Sequence, residues 1–79
     1  MLNLKSRRKE LKITQIEMAS WLGISRVALQ NIENGAIPSG YHLEFMSYYY
    51  QIPIEQLSLE YQKMRALRFK EKKKHLYNE

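Results

Sequence analysis

The sequence predicts an all-α fold, and three observations lead to that prediction. Only three glycines and two prolines interrupt its 79 residues. No segment sustains the alternation of apolar and polar residues that a half-buried strand shows. Apolar residues instead recur at intervals of three and four, and serine or threonine precedes several of these runs. With 44% hydrophobic residues, the chain has enough apolar side chains for one small, compact domain.

The first helix is predicted over about residues 2–12. Leu4, Arg8 and Leu11 share one of its faces, because residues four and seven apart lie on the same side of a helix. An arginine on an apolar face needs a partner there.

The second helix begins at Thr14 with a capping box, in which Thr14 and Glu17 each accept a hydrogen bond from the other's backbone. Gly23 ends this helix, since glycine adopts the left-handed conformation without strain. Its inner face is expected to comprise Ile16, Ala19 and Leu22.

Ser25 caps a third helix after a very short turn, and Asn34-Gly35 ends it. The spacing predicts an inner face of Ala28, Leu29 and Ile32. It predicts an outer face of Arg26, Val27, Gln30, Asn31 and Asn34.

After Pro38, a fourth helix is predicted to start at Ser39 or Gly40. Its inner residues are expected to be Leu43, Met46, Ser47 and Tyr50. Pro53 opens a short fifth helix with Ile54 and Leu57 directed inward. Residues 58–74 again have a helical pattern. We therefore expect one domain at 1–57 and a basic helix or tail at 58–79.

The positive charge lies at the two ends of the chain. The net charge is +5, made up of +4 in residues 1–12, −3 in residues 13–57 and +4 in residues 58–79. Arg26 is the only lysine or arginine between residues 13 and 57. A basic domain of this size suits a polyanionic partner, but charged ends also serve solubility, and the charge alone does not decide between them.

Several classes of protein do not fit the sequence. The absence of cysteine excludes disulfides, cysteine-ligated zinc and thiol catalysis. His42 and His75 are isolated, and no acid–base pair, glycine-rich phosphate loop or metal-ligand spacing occurs, so we expect neither an enzyme nor a cofactor. The sequence has no apolar run long enough to span a membrane and no secretory signal, so we expect a cytoplasmic protein.

Two short helices joined by a tight glycine turn, here residues 14–35, form a helix-turn-helix. In such a motif the second helix presents its outer side chains to the major groove of DNA. Arginine there binds guanine, asparagine or glutamine binds adenine, and valine contacts the thymine methyl group. The outer face of the third helix offers these residue types.

The run Thr14-Gln15-x-x-Met18-Ala19-x-x-Leu22-Gly23-Ile24-Ser25, followed by Ile32-Glu33-Asn34-Gly35, resembles the Cro/phage-repressor (XRE-type) helix-turn-helix family. The resemblance covers roughly residues 4–57. It implies a five-helix phage-repressor-like DNA-binding bundle, to which this chain adds a C-terminal helix. It also implies a transcriptional regulator that binds palindromic DNA as a dimer.

The resemblance also assigns expected roles to individual residues. The residues expected to contact bases are Arg26, Val27, Gln30 and Asn31. Those expected to contact the DNA backbone are Gln15, Ser25, Asn34 and Arg7. Each of them has an alternative as a solvated surface residue. Val27 can instead pack on a neighbouring helix, and Asn34 can serve as a helix cap.

Arg8 and Glu33 match a pair that usually forms an internal salt bridge in this family. The spacing agrees, since Arg8 lies on an apolar face and Glu33 follows the inward Leu29 by one turn. Both are therefore expected to be structural.

The sequence departs from the family's pattern at three places. The loop after the third helix reads Ala36-Ile37-Pro38-Ser39 and lacks the usual lysine or arginine, so we expect fewer phosphate contacts there. Gln51 stands where many relatives have glycine, which suggests backbone strain. Three tyrosines occupy positions 48–50, and only Tyr50 is expected in the core.

The C-terminal part is expected to provide either tail docking or a dimer interface. The aromatic and apolar stripe assigned to this role comprises Phe45, Tyr49, Tyr61 and Met64. Basic residues of the tail can replace the missing phosphate contacts or form a solvated helix face. These residues are Lys63, Arg65, Arg68, Lys70, Lys72, Lys73 and Lys74.

Three functions remain open from the sequence, one of them an accessory protein of phage or plasmid origin with no regulatory switch. The first is a dimeric repressor that covers a palindromic operator. The alternative is an antitoxin, which binds a protein toxin and regulates its own operon. The expected partners are double-stranded DNA, a second copy of the chain, and a toxin or anti-repressor. No domain for a small-molecule effector is expected.

Overall fold

The computed structural model describes residues 2–77, with side chains as far as Lys70. Over these residues the chain forms five α-helices and no strand, so the predicted all-α fold is confirmed. The helices are α1 (Leu4–Glu10), α2 (Gln15–Leu22), α3 (Arg26–Glu33), α4 (Gly40–Tyr50) and α5 (Ile54–Tyr77). None of them is both long and apolar enough to cross a membrane.

Local hydrogen bonds fix the turn between α2 and α3. The Glu17 backbone N–H donates to Thr14 Oγ1 and the Thr14 N–H donates to Glu17 Oε1, each at 3.1 Å. Gly23 ends α2 at φ 69°, in the left-handed region. The Ala28 N–H then donates to Ser25 Oγ at 3.1 Å. The predicted caps are therefore present, and they set the angle at which α3 leaves α2.

The core lies between α2, α3, α4 and the first half of α5. Its buried apolar residues are Leu4, Met18, Ala19, Leu22, Leu29, Ile32, Met46, Tyr50, Ile52, Leu57 and Tyr61. The predicted inner position of Ile16 is wrong, because its side chain is 65% exposed and Met18 is buried instead. Residues three apart drift by about 60° per step around a helix, so Ile16 turns away when Ala19 and Leu22 face the core.

Helix α5 is longer than the sequence predicted. The C-terminal helix expected after residue 57 is the uninterrupted continuation of the fifth helix, so the proposed boundary between residues 57 and 58 falls within α5. Leu57 and Tyr61 anchor this helix in the core, whereas the predicted inward residue Ile54 is exposed. The side chains of Lys72, Lys73 and Lys74 lie outside the described residues.

Candidate nucleic-acid interface

Helix α3 turns one face to the core and the other to solvent. Leu29 and Ile32 are buried, while Arg26, Val27 and Asn31 are exposed. The Val27 side chain is 64% exposed, so it does not pack on a neighbouring helix. Gln30 is half-buried at the edge of this face. The four residues predicted to read bases therefore belong to one accessible surface.

Gln15, in the first turn of α2, connects the side chains on this surface. Arg26 Nε donates to Gln15 Oε1 at 3.3 Å, and Gln30 Nε2 donates to the same oxygen at 3.4 Å. Gln15 Nε2 in turn donates to Glu33 Oε1 at 3.4 Å. Because one oxygen accepts from both residues, the Arg26 and Gln30 side chains are held side by side.

Glu33 joins the last turn of α3 to the core. Arg8 Nε and Nη2 donate to Glu33 Oε2 and Oε1 at 2.8 and 3.2 Å, a bidentate salt bridge. The two side chains are only 6% and 2% exposed. Arg8 Nη1 also donates to the Ile13 carbonyl at 2.9 Å, and Tyr50 Oη donates to Glu33 Oε2 at 3.0 Å. Among the described side chains, every buried nitrogen and oxygen has a hydrogen-bond partner.

These contacts set the charge state of the cluster. Burial raises the pKa of the Glu33 carboxyl, but the hydrogen bonds from Arg8, Tyr50 and Gln15 and the charge of Arg8 together outweigh it. The pKa of Glu33 therefore lies below its ordinary value. Burial, followed by the nearby Glu33 charge, raises the pKa of Tyr50 well above its ordinary value. Near neutral pH, Glu33 is thus a carboxylate that accepts a hydrogen bond from the hydroxyl of a neutral Tyr50.

Arg7, predicted to contact the DNA backbone, donates hydrogen bonds to carbonyls of its own chain. Its Nε donates to the Tyr50 carbonyl at 2.9 Å and its Nη2 donates to the Gln51 carbonyl at 3.0 Å. Gln51 has φ 54°, a left-handed conformation for a residue other than glycine. Arg7 therefore satisfies carbonyls at the end of α4, because the last carbonyls of a helix have no partner within it.

Ser25 and Asn34 lie at the two ends of α3. Ser25 Oγ already serves as the N-cap acceptor, and the Asn34 backbone N–H donates to the Gln30 carbonyl at 2.9 Å as the C-cap of the helix. Both residues are exposed and adjoin the face that carries Arg26. Their predicted contacts with DNA are compatible with these capping roles.

Two lysines of α1 also border this surface, and the sequence reasoning missed them. Lys5 and Lys9 line a shallow groove with Gln15 and Arg26. Lys5 also borders a second small depression next to Asn34. The signal in the sequence is their spacing of four residues, which puts both on one face of α1. Only the packing of α1 beside α2 and α3 shows which surface that face adjoins.

The four residues predicted for tail docking or dimerisation fall into two groups. Tyr61 is buried in the core of its own chain, and Met64 packs against that core. Tyr49 stacks on Trp21 of α2 with ring centroids 5.2 Å apart, and Phe45 is 41% exposed beside Tyr41. Tyr61 and Met64 thus seat α5 on the domain, while Phe45 and Tyr49 belong to an aromatic surface formed by α2 and α4.

Comparison with known proteins gives one match. A family model described as helix-turn-helix matches residues 4–57, which is more than half of the chain. The matched range begins with the first residue of α1 and ends at the buried Leu57 of α5. It therefore contains α1 to α4 and the first turn of α5. No curated protein and no solved structure matches the chain.

Proposed function

The chain belongs to the Cro/phage-repressor (XRE-type) helix-turn-helix family, and from that premise we propose a sequence-specific repressor that binds a palindromic operator as a dimer through residues 25–34. Membership of this family of regulators makes the chain a DNA-binding transcriptional regulator. The operator symmetry, the dimer and the sign of regulation are the parts that we propose.

The observation that carries the proposal is the arrangement of Arg26 and Gln30 around Gln15. Two side chains of α3 that we propose to read bases donate to one acceptor, Gln15 Oε1 of α2, at 3.3 and 3.4 Å. Arginine binds the O6 and N7 atoms of guanine, and glutamine or asparagine binds the N6 and N7 atoms of adenine. Side chains already oriented lose less conformational entropy when they bind. In this proposal Arg26, Gln30 and Asn31 read bases, and Val27 contacts a thymine methyl group.

The surrounding polar and basic residues supply the contacts that carry no sequence information. Lys5 and Lys9 border the groove beside Gln15 and Arg26, where they can neutralise phosphates of the DNA backbone. Ser25 and Asn34 add hydrogen bonds at the two ends of α3. These contacts fix the register of α3 in the major groove.

A dimer allows the proposed repressor to contact both half-sites of a palindromic operator. A two-fold axis puts two copies of α3 about 34 Å apart, in successive major grooves on one side of the DNA. We assign the dimer interface to the aromatic surface that carries Phe45 and Tyr49, because Tyr61 and Met64 are used within the chain. Such a dimer, acting in the cytoplasm, represses by covering a promoter, and its activity is controlled by its concentration or by another protein.

The experiment is a selection from a library of random duplexes with the purified protein. We expect a palindromic consensus, and we expect Arg26→Ala to lose information at one base pair in each half-site. Breaking a bidentate contact costs about 1–3 kcal/mol of discrimination. Lys63→Ala, an exposed substitution on α5, is the control and should leave the consensus unchanged. A selection without enrichment, or an Arg26→Ala consensus identical to that of the unmodified protein, contradicts the proposal.

The aromatic surface on α2 and α4 favours a second candidate function, that of an antitoxin. Tyr41 and Tyr48 are each 76% exposed, next to the half-exposed Trp21 and Phe45. Exposed aromatic residues grouped in this way are typical of protein-binding surfaces. The test is binding of the product of an adjacent gene by the unmodified chain and by Tyr48→Ser. Binding that Tyr48→Ser abolishes supports the antitoxin, and no binding removes this candidate.

A further inference from the structure

The C-terminal half of α5 passes beside the loop that follows α3. Arg68 Nη2 donates to the Gly35 carbonyl at 2.6 Å, and Arg65 Nη2 lies 3.5 Å from the Pro38 carbonyl. Gly35 is only two residues beyond Glu33, the last residue of α3. The Arg68 guanidinium is therefore located at the C-terminal end of α3, and that of Arg65 lies further along the loop that follows.

The position of these arginines compensates for the lack of positive charge in the loop that follows α3. Residues 35–39 contain no lysine or arginine, and Arg26 is the only such residue between positions 13 and 57. Lys5 and Lys9 of α1 supply positive charge on one side of α3. The other cations near the end of α3 come from α5, across a sequence separation of 33 residues for Arg68 and Gly35.

The helical geometry separates these two arginines from the lysines of the same segment. Arg65 and Arg68 are three residues apart and share the face of α5 that carries Tyr61. Lys63 and Lys70 fall on the opposite face, turned away from α3. In the sequence these basic residues form one continuous tail, whereas in the structure they lie on two opposite faces of α5.

The contact with Gly35 leaves Arg68 able to bind a ligand. A guanidinium group has five N–H donors, and one hydrogen bond to a carbonyl engages only one of them. Arg68 is exposed, so the remaining donors face solvent. The carbonyl bond holds the side chain in place, and the planar donors fit the oxygens of a phosphate.

We propose that Arg68, with Arg65 beside it, forms a phosphate clamp at the C-terminal end of α3 that binds the DNA backbone next to the bases that α3 reads. This rests on the proposed function, because it assumes that α3 lies in the major groove. An eight-residue helix is about 12 Å long, close to the width of that groove. The end of α3 therefore approaches the phosphates at the groove's edge, and so do the guanidinium groups attached there.

The test compares the salt dependence of binding to the selected consensus duplex and to a random duplex, by fluorescence anisotropy between 50 and 200 mM salt. Each phosphate contact that is lost flattens the slope of log K against log salt concentration by about 0.9. We expect Arg68→Gln to flatten the slope by about that amount on both duplexes. The ratio of the two affinities should stay unchanged, because phosphate contacts carry no sequence information. Arg68→Lys keeps the charge and should restore most of the slope.

The matched control is the double variant Lys63→Gln/Lys70→Gln, which removes two charges from the opposite face of α5. It should change the slope much less than Arg65→Gln/Arg68→Gln does. Equal changes in the two double variants would show a general effect of charge and would overturn the clamp. A slope that Arg68→Gln leaves unaltered also overturns it, even if the affinity ratio falls because the end of α3 has loosened.

The failure of the clamp and the failure of the proposed function give different results. If the unmodified protein selects a consensus but Arg68→Gln has the same slope, only the clamp is wrong. If the unmodified protein selects no consensus, the proposed repressor fails and the clamp fails with it.

Discussion

Replacing Glu33 by glutamine tests the buried cluster that joins α3 to the core. The substitution keeps the shape of the side chain and removes its charge. Four hydrogen bonds reach the carboxylate, two from Arg8, one from Tyr50 and one from Gln15. A glutamine amide offers only one oxygen as an acceptor. Its NH₂ group replaces the second carboxylate oxygen and faces the donors that were bonded to that oxygen. The Arg8 guanidinium is then left buried without an opposite charge.

The expected loss of stability is large for a chain of this size. Removing one member of a buried ion pair costs about 3–5 kcal/mol. A domain of 79 residues has a free energy of unfolding of about 4–12 kcal/mol. At about 4–8 °C per kcal/mol, Glu33→Gln should lower the melting temperature by at least about 12 °C.

The assay is urea and thermal unfolding followed by circular dichroism and by the fluorescence of Trp21, the only tryptophan in the chain. Trp21 stacks on Tyr49, so its emission reports the packing of α2 on α4. Glu10→Gln is the matched control, because Glu10 pairs with Arg7 at 3.3 Å on an exposed surface. An exposed pair of this kind contributes less than about 1 kcal/mol. If both variants lose the same small amount of stability, the reasoning about the buried cluster is refuted.

Three further predictions follow from the same contacts. Because the folded-state pKa of Glu33 is depressed, its stabilising effect is complete above the unfolded value of about 4.3 and is lost as the pH falls through the folded value. Urea unfolding between pH 7 and pH 3 should therefore show a steeper acid loss in the unmodified protein than in Glu33→Gln, and parallel curves would contradict this. Gln51→Gly should raise the free energy of unfolding by about 0.5–1 kcal/mol by relieving the left-handed backbone. Gln62→Gly, inside α5, should lower the free energy of unfolding by a similar amount. A lower free energy of unfolding in both variants would rule out strain at Gln51. Gln15→Ala frees the Arg26 side chain and should therefore weaken binding to the selected duplex by about two- to tenfold. The melting temperature should fall by no more than a few degrees. Unchanged affinity would mean that Gln15 does not orient the base-reading residues.

The parts of the fold that the sequence predicted well depend on interactions within one or two helical turns. The capping box at Thr14, the left-handed Gly23 and the Ser25 cap are all local, and each is present. The unusual position of Arg8 on an apolar face indicated a buried partner, and Arg8 is bonded to Glu33.

The parts that could not be predicted depend on packing between distant segments. Arg7 binds carbonyls 43 and 44 residues away, which no spacing within α1 indicates. The division of the basic tail into two faces depends on where α5 passes the end of α3. The continuity of α5 could not be predicted either, because the helix start at Pro53 and the helical pattern from residue 58 are compatible with two separate helices as well as with one.

The location of Glu33 has a consequence for how such a domain changes over evolution. The residues that hold α3 in place point inward, and the residues proposed to touch bases point outward from the same two turns. Substitutions at Arg26, Val27 and Asn31 therefore leave the buried ion pair intact and have small effects on folding. New operator preferences can arise at these surface positions one substitution at a time, while selection for a folded protein acts on a separate set of residues.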